Sequence, residues 1–111
     1  MHFCFMGQYT PQALNGMMDN PTGNRFEAAK KLIEAAGGKL ISMYGMPAEG
    51  PGVMAIFETS DPSAAAAISG VVVASGGLHN VKLLRLLTQE ELVQVRQKAA
   101  QLRDAYKAPG K

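Results

Sequence analysis

Tryptophan is absent and cysteine occurs once, at Cys4, so no internal disulfide can staple the chain and the fold must rest on its own core. A lone thiol also fits a reducing compartment, and the expected location is the cytoplasm. An excess of one charge is missing as well. Eleven basic against nine acidic side chains leave +2, far from the basic surplus that nucleic acid or an anionic membrane demands. No apolar run approaches the ~20 residues of a membrane span, and no basic segment followed by an apolar one opens the chain, so neither a membrane partner nor a targeting segment is expected. No G-x-G-x-x-G or Walker pattern occurs. The pairs Gly37-Gly38 and Gly76-Gly77 follow helices, whereas phosphates are held at helix N-termini. Internal repeats and low-complexity tracts are also missing.

What is present is a globular composition, 47% hydrophobic and 18% charged over 111 residues. That is enough for one domain with one core. His2 to Gln8 reads as a strand rich in aromatic and apolar residues. Residues 11–24 hold two prolines, two glycines and three asparagines and read as a long loop with at most one helical turn at Pro11–Leu14. From Arg25 to Ala36 the pattern is helical, with Phe26, Ala29, Ile33 and Ala36 on one face and Asn24 as cap. Lys39–Tyr44 and Val53–Glu58 form a hairpin across a Pro/Gly-rich connection. Asp61-Pro62 starts a helix that runs over Ser63–Ser75. Leu78–Leu87 is a long strand. Thr88 with Glu91 makes a capping box for a last helix over Gln89–Tyr106.

The order β-α-β-β-α-β is the ferredoxin-like split βαββαβ arrangement, an α+β fold, here with an extra C-terminal helix. Residues 1–88 form the ferredoxin-like domain and residues 89–111 the C-terminal helix and tail. One sheet face should lie under two helices and the other should be polar at every second residue. It is not. Cys4 and Met6 oppose Phe3 and Phe5, Met54 and Ile56 oppose Phe57, and Leu84 and Leu86 oppose Leu83. Apolar surface of that extent marks an interaction site, so the expected partner is a second copy, in a homodimer or higher homo-oligomer, with Phe57 and Leu84 at the interface. The alternative cover is the C-terminal helix folding back. Its stripe of Leu92, Val95, Ala99, Leu102 and Tyr106 is one seam wide, too narrow for four strands. Leu92, Val95 and Leu102 are therefore expected to touch the partner subunit.

Tyr9-Thr10 after the first strand, Arg25 opening EAAKKLIEAAGGKL, the segment ISMYG, the strand ending in Glu58, and ASGG followed by VKLLRLLT together resemble the GYD domain proteins. The most specific part is the block from Arg25 to Leu40, and the likeness covers roughly residues 1–90. The Gly-x-Tyr-Asp segment that names the family is here Glu49-Gly50-Pro51-Gly52, so no role of that tyrosine and aspartate carries over. The resemblance implies a dimeric α/β-barrel and no settled activity; related barrels include cofactor-free oxygenases, haem-degrading enzymes, isomerases and binders.

Side chains with chemistry are scattered. His2 and Cys4 share a strand face, but zinc wants three or four ligands and His79 should lie far from His2, so no metal is expected. Cys4 reads as a buried apolar thiol with no base beside it. His79 and Arg85 fall on one parity of the last strand with Val81 and Leu83. Arg85 reads as an ion-pair partner, with Glu58 as candidate, or as a ligand anchor. Tyr9, Thr10, Arg25, Tyr44 and Glu49 come from loops that could converge on a mouth backed by Met17, Met18, Met43 and Met46, fit for a flat apolar small molecule with a polar handle. The ligand set read from the sequence is thus Tyr9, Arg25, Tyr44, His79 and Arg85. The third strand lacks the basic and aromatic pattern of RNA-binding sheets, so no nucleic acid is expected. No set of acid, base and nucleophile emerges and no cofactor is implied. The leading expectation is a non-catalytic structural or small-ligand-binding oligomer, and the alternative is a small barrel oxygenase or isomerase acting on an apolar substrate.

Overall fold

A computed structural model describes residues 1–48 and 50–111. Glu49, expected at the mouth, lies outside the described residues. The elements run β1 (His2–Tyr9), α1 (Pro11–Asp19), α2 (Arg25–Ala35), β2 (Lys39–Met46), β3 (Gly52–Glu58), α3 (Pro62–Ala74), β4 (Leu78–Leu86) and α4 (Gln89–Leu102), with a 3-10 turn at Arg103–Ala105. The four strands form one antiparallel sheet in the order β2-β3-β1-β4. That is the ferredoxin-like α+β arrangement.

Helix starts follow local chemistry. Asn24 Oδ1 accepts from the Glu27 amide at 3.1 Å and Asp61 Oδ1 from the Ser63 amide at 2.9 Å, each satisfying a free first-turn donor. Thr88 and Glu91 close the reciprocal capping box. Helix α2 stops in a Schellman turn. The Gly38 amide donates to the Ile33 carbonyl and the Gly37 amide to that of Glu34, with Gly37 at φ +83°, a backbone that only glycine adopts freely.

One expected loop is a helix. Thr10 Oγ1 accepts from the Ala13 amide at 3.2 Å and Pro11 occupies the first turn, so Pro11–Asp19 forms α1. The signal matches Asp61-Pro62, but Gly16 and the asparagines around it masked the helix that follows. Helix α4 ends at Leu102, four residues before the expected Tyr106.

The core lies between the sheet and helices α2 and α3, built from Phe3, Phe5, Val53, Ala55 and Phe57 below and Ile33, Ala65 and Ile68 above. Phe57 is 1% exposed and its ring stacks on Phe3 with centroids 5.6 Å apart. The assignment of Phe57 to an interface is therefore corrected. It pairs in register with Phe3 and Leu40, which sets it on the helix side, where its own chain buries it.

The opposite face carries Cys4, Met6, Met54, Ile56, Tyr44 and Leu84, neighbours by register across all four strands. Leu84 is 45% exposed and Tyr44 59%. Helix α4 does not cover this face, and none of its residues is buried. The molecule measures 58 × 35 × 22 Å with a radius of gyration of 17.9 Å, against about 13 Å for a compact chain of this length.

Candidate functional site

Where β1 ends, the sheet and the helices do not close on each other. An apolar cavity of about 120 Å³ remains between them, floored by Phe5, Met43 and Val53 and roofed by Ala29, Leu32 and Val72. Small side chains leave the room, since the alanines at 28 and 29 face it where larger residues would fill it. Outside it lies a wider vestibule of about 700 Å³ beneath α1, lined by Ala13, Gly16, Met17 and Asn20 among others. Tyr9, Arg25, Val72 and Leu78 line both spaces. The junction thus carries one phenol and one guanidinium.

These positions are held from several sides. The Tyr9 amide donates to the Pro51 carbonyl at 2.8 Å, and the Thr10 amide to that of Gly77 at 3.0 Å. The Thr10 hydroxyl donates to the Gly76 carbonyl at 2.9 Å while its oxygen caps α1. This one residue ties the vestibule roof to the turn between α3 and β4. Arg25 opens α2 beside its Asn24 cap, and it makes no ion pair among the described residues. A cation so placed can receive an acidic or hydrogen-bond-accepting head group while an apolar body enters the cavity.

The remaining residues read from the sequence lie elsewhere. Tyr44 pairs with Met54 on the open face. His79 pairs with Gln8 on that face too, so its expected shared side with Val81, Leu83 and Arg85 is corrected. The cause is a β-bulge, in which Asn80 and Val81 together oppose Gly7 and Asn80 takes φ +52°. The extra residue reverses the alternation. Leu78 and Val81 consequently both approach Gly7.

Arg85 does share the helix side, opposite Phe3, which places it roughly 20 Å along β1 from Tyr9. It does not pair with Glu58. Its Nη2 lies 2.6 Å from Glu91 Oε2, its Nη1 donates to the Leu86 carbonyl, and its guanidinium sits 5.7 Å from the Phe3 ring centre. Glu91 is held below the ordinary glutamate range, first by the Thr88 backbone amide and then by Arg85. Glu58 meets His2 at 3.4 Å. Burial raises the Cys4 thiol, which disfavours the nucleophilic thiolate. Among the described residues no three His, Cys, Asp or Glu side chains come together as a metal would require, and no helix is long and apolar enough to cross a membrane.

The model of the GYD domain family matches residues 3–95. The chain belongs to the GYD domain family. The match covers the sheet but for His2 at its start and all of α1 to α3, and it enters the first half of α4, a little beyond the stretch on which the resemblance rests. No curated protein matches this GYD domain chain significantly. Lining residues such as Ala28, Leu32, Ile68 and Val72 were not singled out in the sequence. The alanine-rich pattern on two facing helices was the available signal, and it reads equally well as close packing.

Proposed function

We propose that this GYD domain protein is a non-catalytic small-ligand-binding protein that assembles through its open sheet face as a dimeric barrel. The observation that carries the ligand reading is the apolar cavity whose mouth holds Tyr9 and Arg25. Apolar cavities of ~150 Å³ stay dry and take up a benzene-sized guest. A space of about 120 Å³ suits the body of a ligand with one small ring or a short branched chain. Its head would be anionic or hydrogen-bond-accepting, because the guanidinium at the mouth is a donor that makes no ion pair among the described residues. The assembly reading is supported by the row Ser42–Ile56–Cys4–Leu84 and its neighbour Tyr44–Met54–Met6–Lys82, mostly apolar side chains on the face turned away from α2 and α3, among which Leu84 and Tyr44 are exposed.

Native mass spectrometry of the full-length protein, purified from cells without denaturation, tests both parts together. A dimer or larger oligomer carrying extra mass supports the reading, and fragmentation then identifies the guest. A monomer removes the assembly. A protein that arrives empty and fails to bind 1-anilinonaphthalene-8-sulfonate, an apolar anionic probe, removes the ligand.

A further inference from the structure

The cavity and its vestibule differ in the groups they offer a guest. Apart from Tyr9 and Arg25, every side chain lining the inner cavity is a hydrocarbon or, at Met43, a thioether. None of these side chains replaces the water that a hydroxyl or an amide gives up on entering, so a polar substituent on the guest's body would cost binding. The vestibule adds Asn20, Asn24 and Ser75. Two of them are already committed. Asn24 Oδ1 caps α2, and the Ser75 hydroxyl donates to the Val72 carbonyl while its oxygen accepts from the Gly77 amide.

Charge at the junction is one-sided. Among the described residues no aspartate, glutamate, lysine or second arginine lines either space. The Arg25 guanidinium and the Tyr9 hydroxyl make no hydrogen bond or ion pair among those residues, which leaves their donors to a guest. A single guanidinium balances a single negative charge. A phosphate monoester brings nearly two at neutral pH and would leave one without a partner here. A carboxylate brings one, and its two oxygens match the guanidinium fork. An ammonium would meet a like charge with no acid to offset it.

We propose that this site takes a monocarboxylate with a small unsubstituted apolar body, an arene carboxylate of one ring or a short branched-chain acid. The body enters the cavity and the carboxylate stays at the mouth, on Arg25 and Tyr9. The inference rests on the ligand reading above and fixes its chemical class. It does not depend on the dimer, because the cavity lies between the sheet and helices α2 and α3, away from the open face. Volume limits the body, since a cavity of ~150 Å³ holds benzene and this one measures about 120 Å³. The absence of polar lining limits its chemistry. A hydrophobic site discriminates only modestly against an added hydroxyl, so the expected preference is a matter of several-fold and not of many decades.

Guests this small bind weakly, so the test is an amide NMR titration of the isotopically labelled full-length protein. The probes are benzoate, 4-hydroxybenzoate, benzyl alcohol, benzylamine and phenyl phosphate. Benzoate should shift the Leu32, Val53 and Val72 amides to saturation. The hydroxylated acid and the alcohol should each bind about fivefold more weakly or worse, and benzylamine should not saturate. Benzyl alcohol, 4-hydroxybenzoate or phenyl phosphate as tight as benzoate, or saturation by benzylamine, overturns the proposed class and leaves the cavity standing as a ligand site. Silence from every probe overturns both. Arg25→Gln, at an exposed position, should bring benzoate down to the level of benzyl alcohol and leave the alcohol where it was. An unchanged benzoate constant, or an equal fall for both, overturns the role of the guanidinium. Ala29→Leu should fill the cavity and remove benzoate binding with Arg25 still in place; retained binding would put the acid in the vestibule and overturn the proposal.

Discussion

Phe3, Phe5 and Phe57 leave β1 and β3 on one side of the sheet, and Met6, Met54 and Ile56 leave the same strands on the other. Composition hardly separates the two sets, since both are apolar and both would cost free energy in water. The first set meets Ile33, Ala65 and Ile68 from α2 and α3 and is buried. The second is only partly buried, and Leu84 beside it remains 45% exposed. The difference lies in connectivity. Both crossover helices of a split βαββαβ pass over the same face, and the helix that might have covered the other one leaves the body after its first turn. One face therefore stabilises the protomer, while the other stays partly open to water.

Substitutions should separate the two faces, and the largest effect belongs to the covered one. Phe57→Ala is expected to cost about 3–5 kcal/mol, read as a fall in urea midpoint with the monomer itself affected; a loss below 1 kcal/mol would mean that the void beside it absorbs the change. Leu84→Glu should leave the protomer's unfolding free energy within ~1 kcal/mol while raising the dimer dissociation constant by about 30-fold, or ~2 kcal/mol. Analytical ultracentrifugation decides it, and a dimer of unchanged affinity would show that this face is not the interface.

Thr88→Ala removes the capping oxygen of α4 and should cost the helix about 1 kcal/mol. Faster amide exchange over residues 91–95, with exchange in the sheet core unaltered, is the expected signature. Arg25→Ala should weaken binding of 1-anilinonaphthalene-8-sulfonate by several-fold, in keeping with the ~1 kcal/mol of an exposed charge-assisted contact, and leave both stability and assembly unchanged. The smallest effect is a pH dependence at Glu91. Its folded pKa is depressed by Thr88 and Arg85, so its contribution is complete above the ordinary glutamate range and fades as pH falls through the lowered value. The first turn of α4 should lose exchange protection on that descent; protection that stays flat into strong acid would show that the ion pair does not hold it.

Much of this architecture could be read along the chain, because its signals are local. Asn24, Asp61 and Thr88 cap the helices they were read to cap, since each needs only a side-chain oxygen within three residues of a free amide. The alternation that separates Phe57 from Met54 and Ile56 is equally local. The same rule failed for His79, where one extra residue opposite Gly7 turned the side chain over. A bulge depends on the strand next door and leaves little trace in its own sequence. Arg85 was readable as an ion-pair partner, but not as the partner of Glu91, because that choice depends on where the chain turns after β4.

Tyr9 and Arg25 stand 16 positions apart and meet at one mouth only because β1 and the start of α2 end on the same side of the core. The intervening α1 roofs that mouth, and its own start signal, Thr10-Pro11, was visible but outweighed by the asparagines and glycine around it. By itself, then, the sequence determined where the helices begin, which strand residues share a face, and that more apolar surface exists than one protomer can bury. Those properties depend on side chains and neighbours within a few residues. Which face the helices cover, where the cavity opens and which way α4 departs were decided by tertiary structure, because each is a relation between segments that only packing brings together.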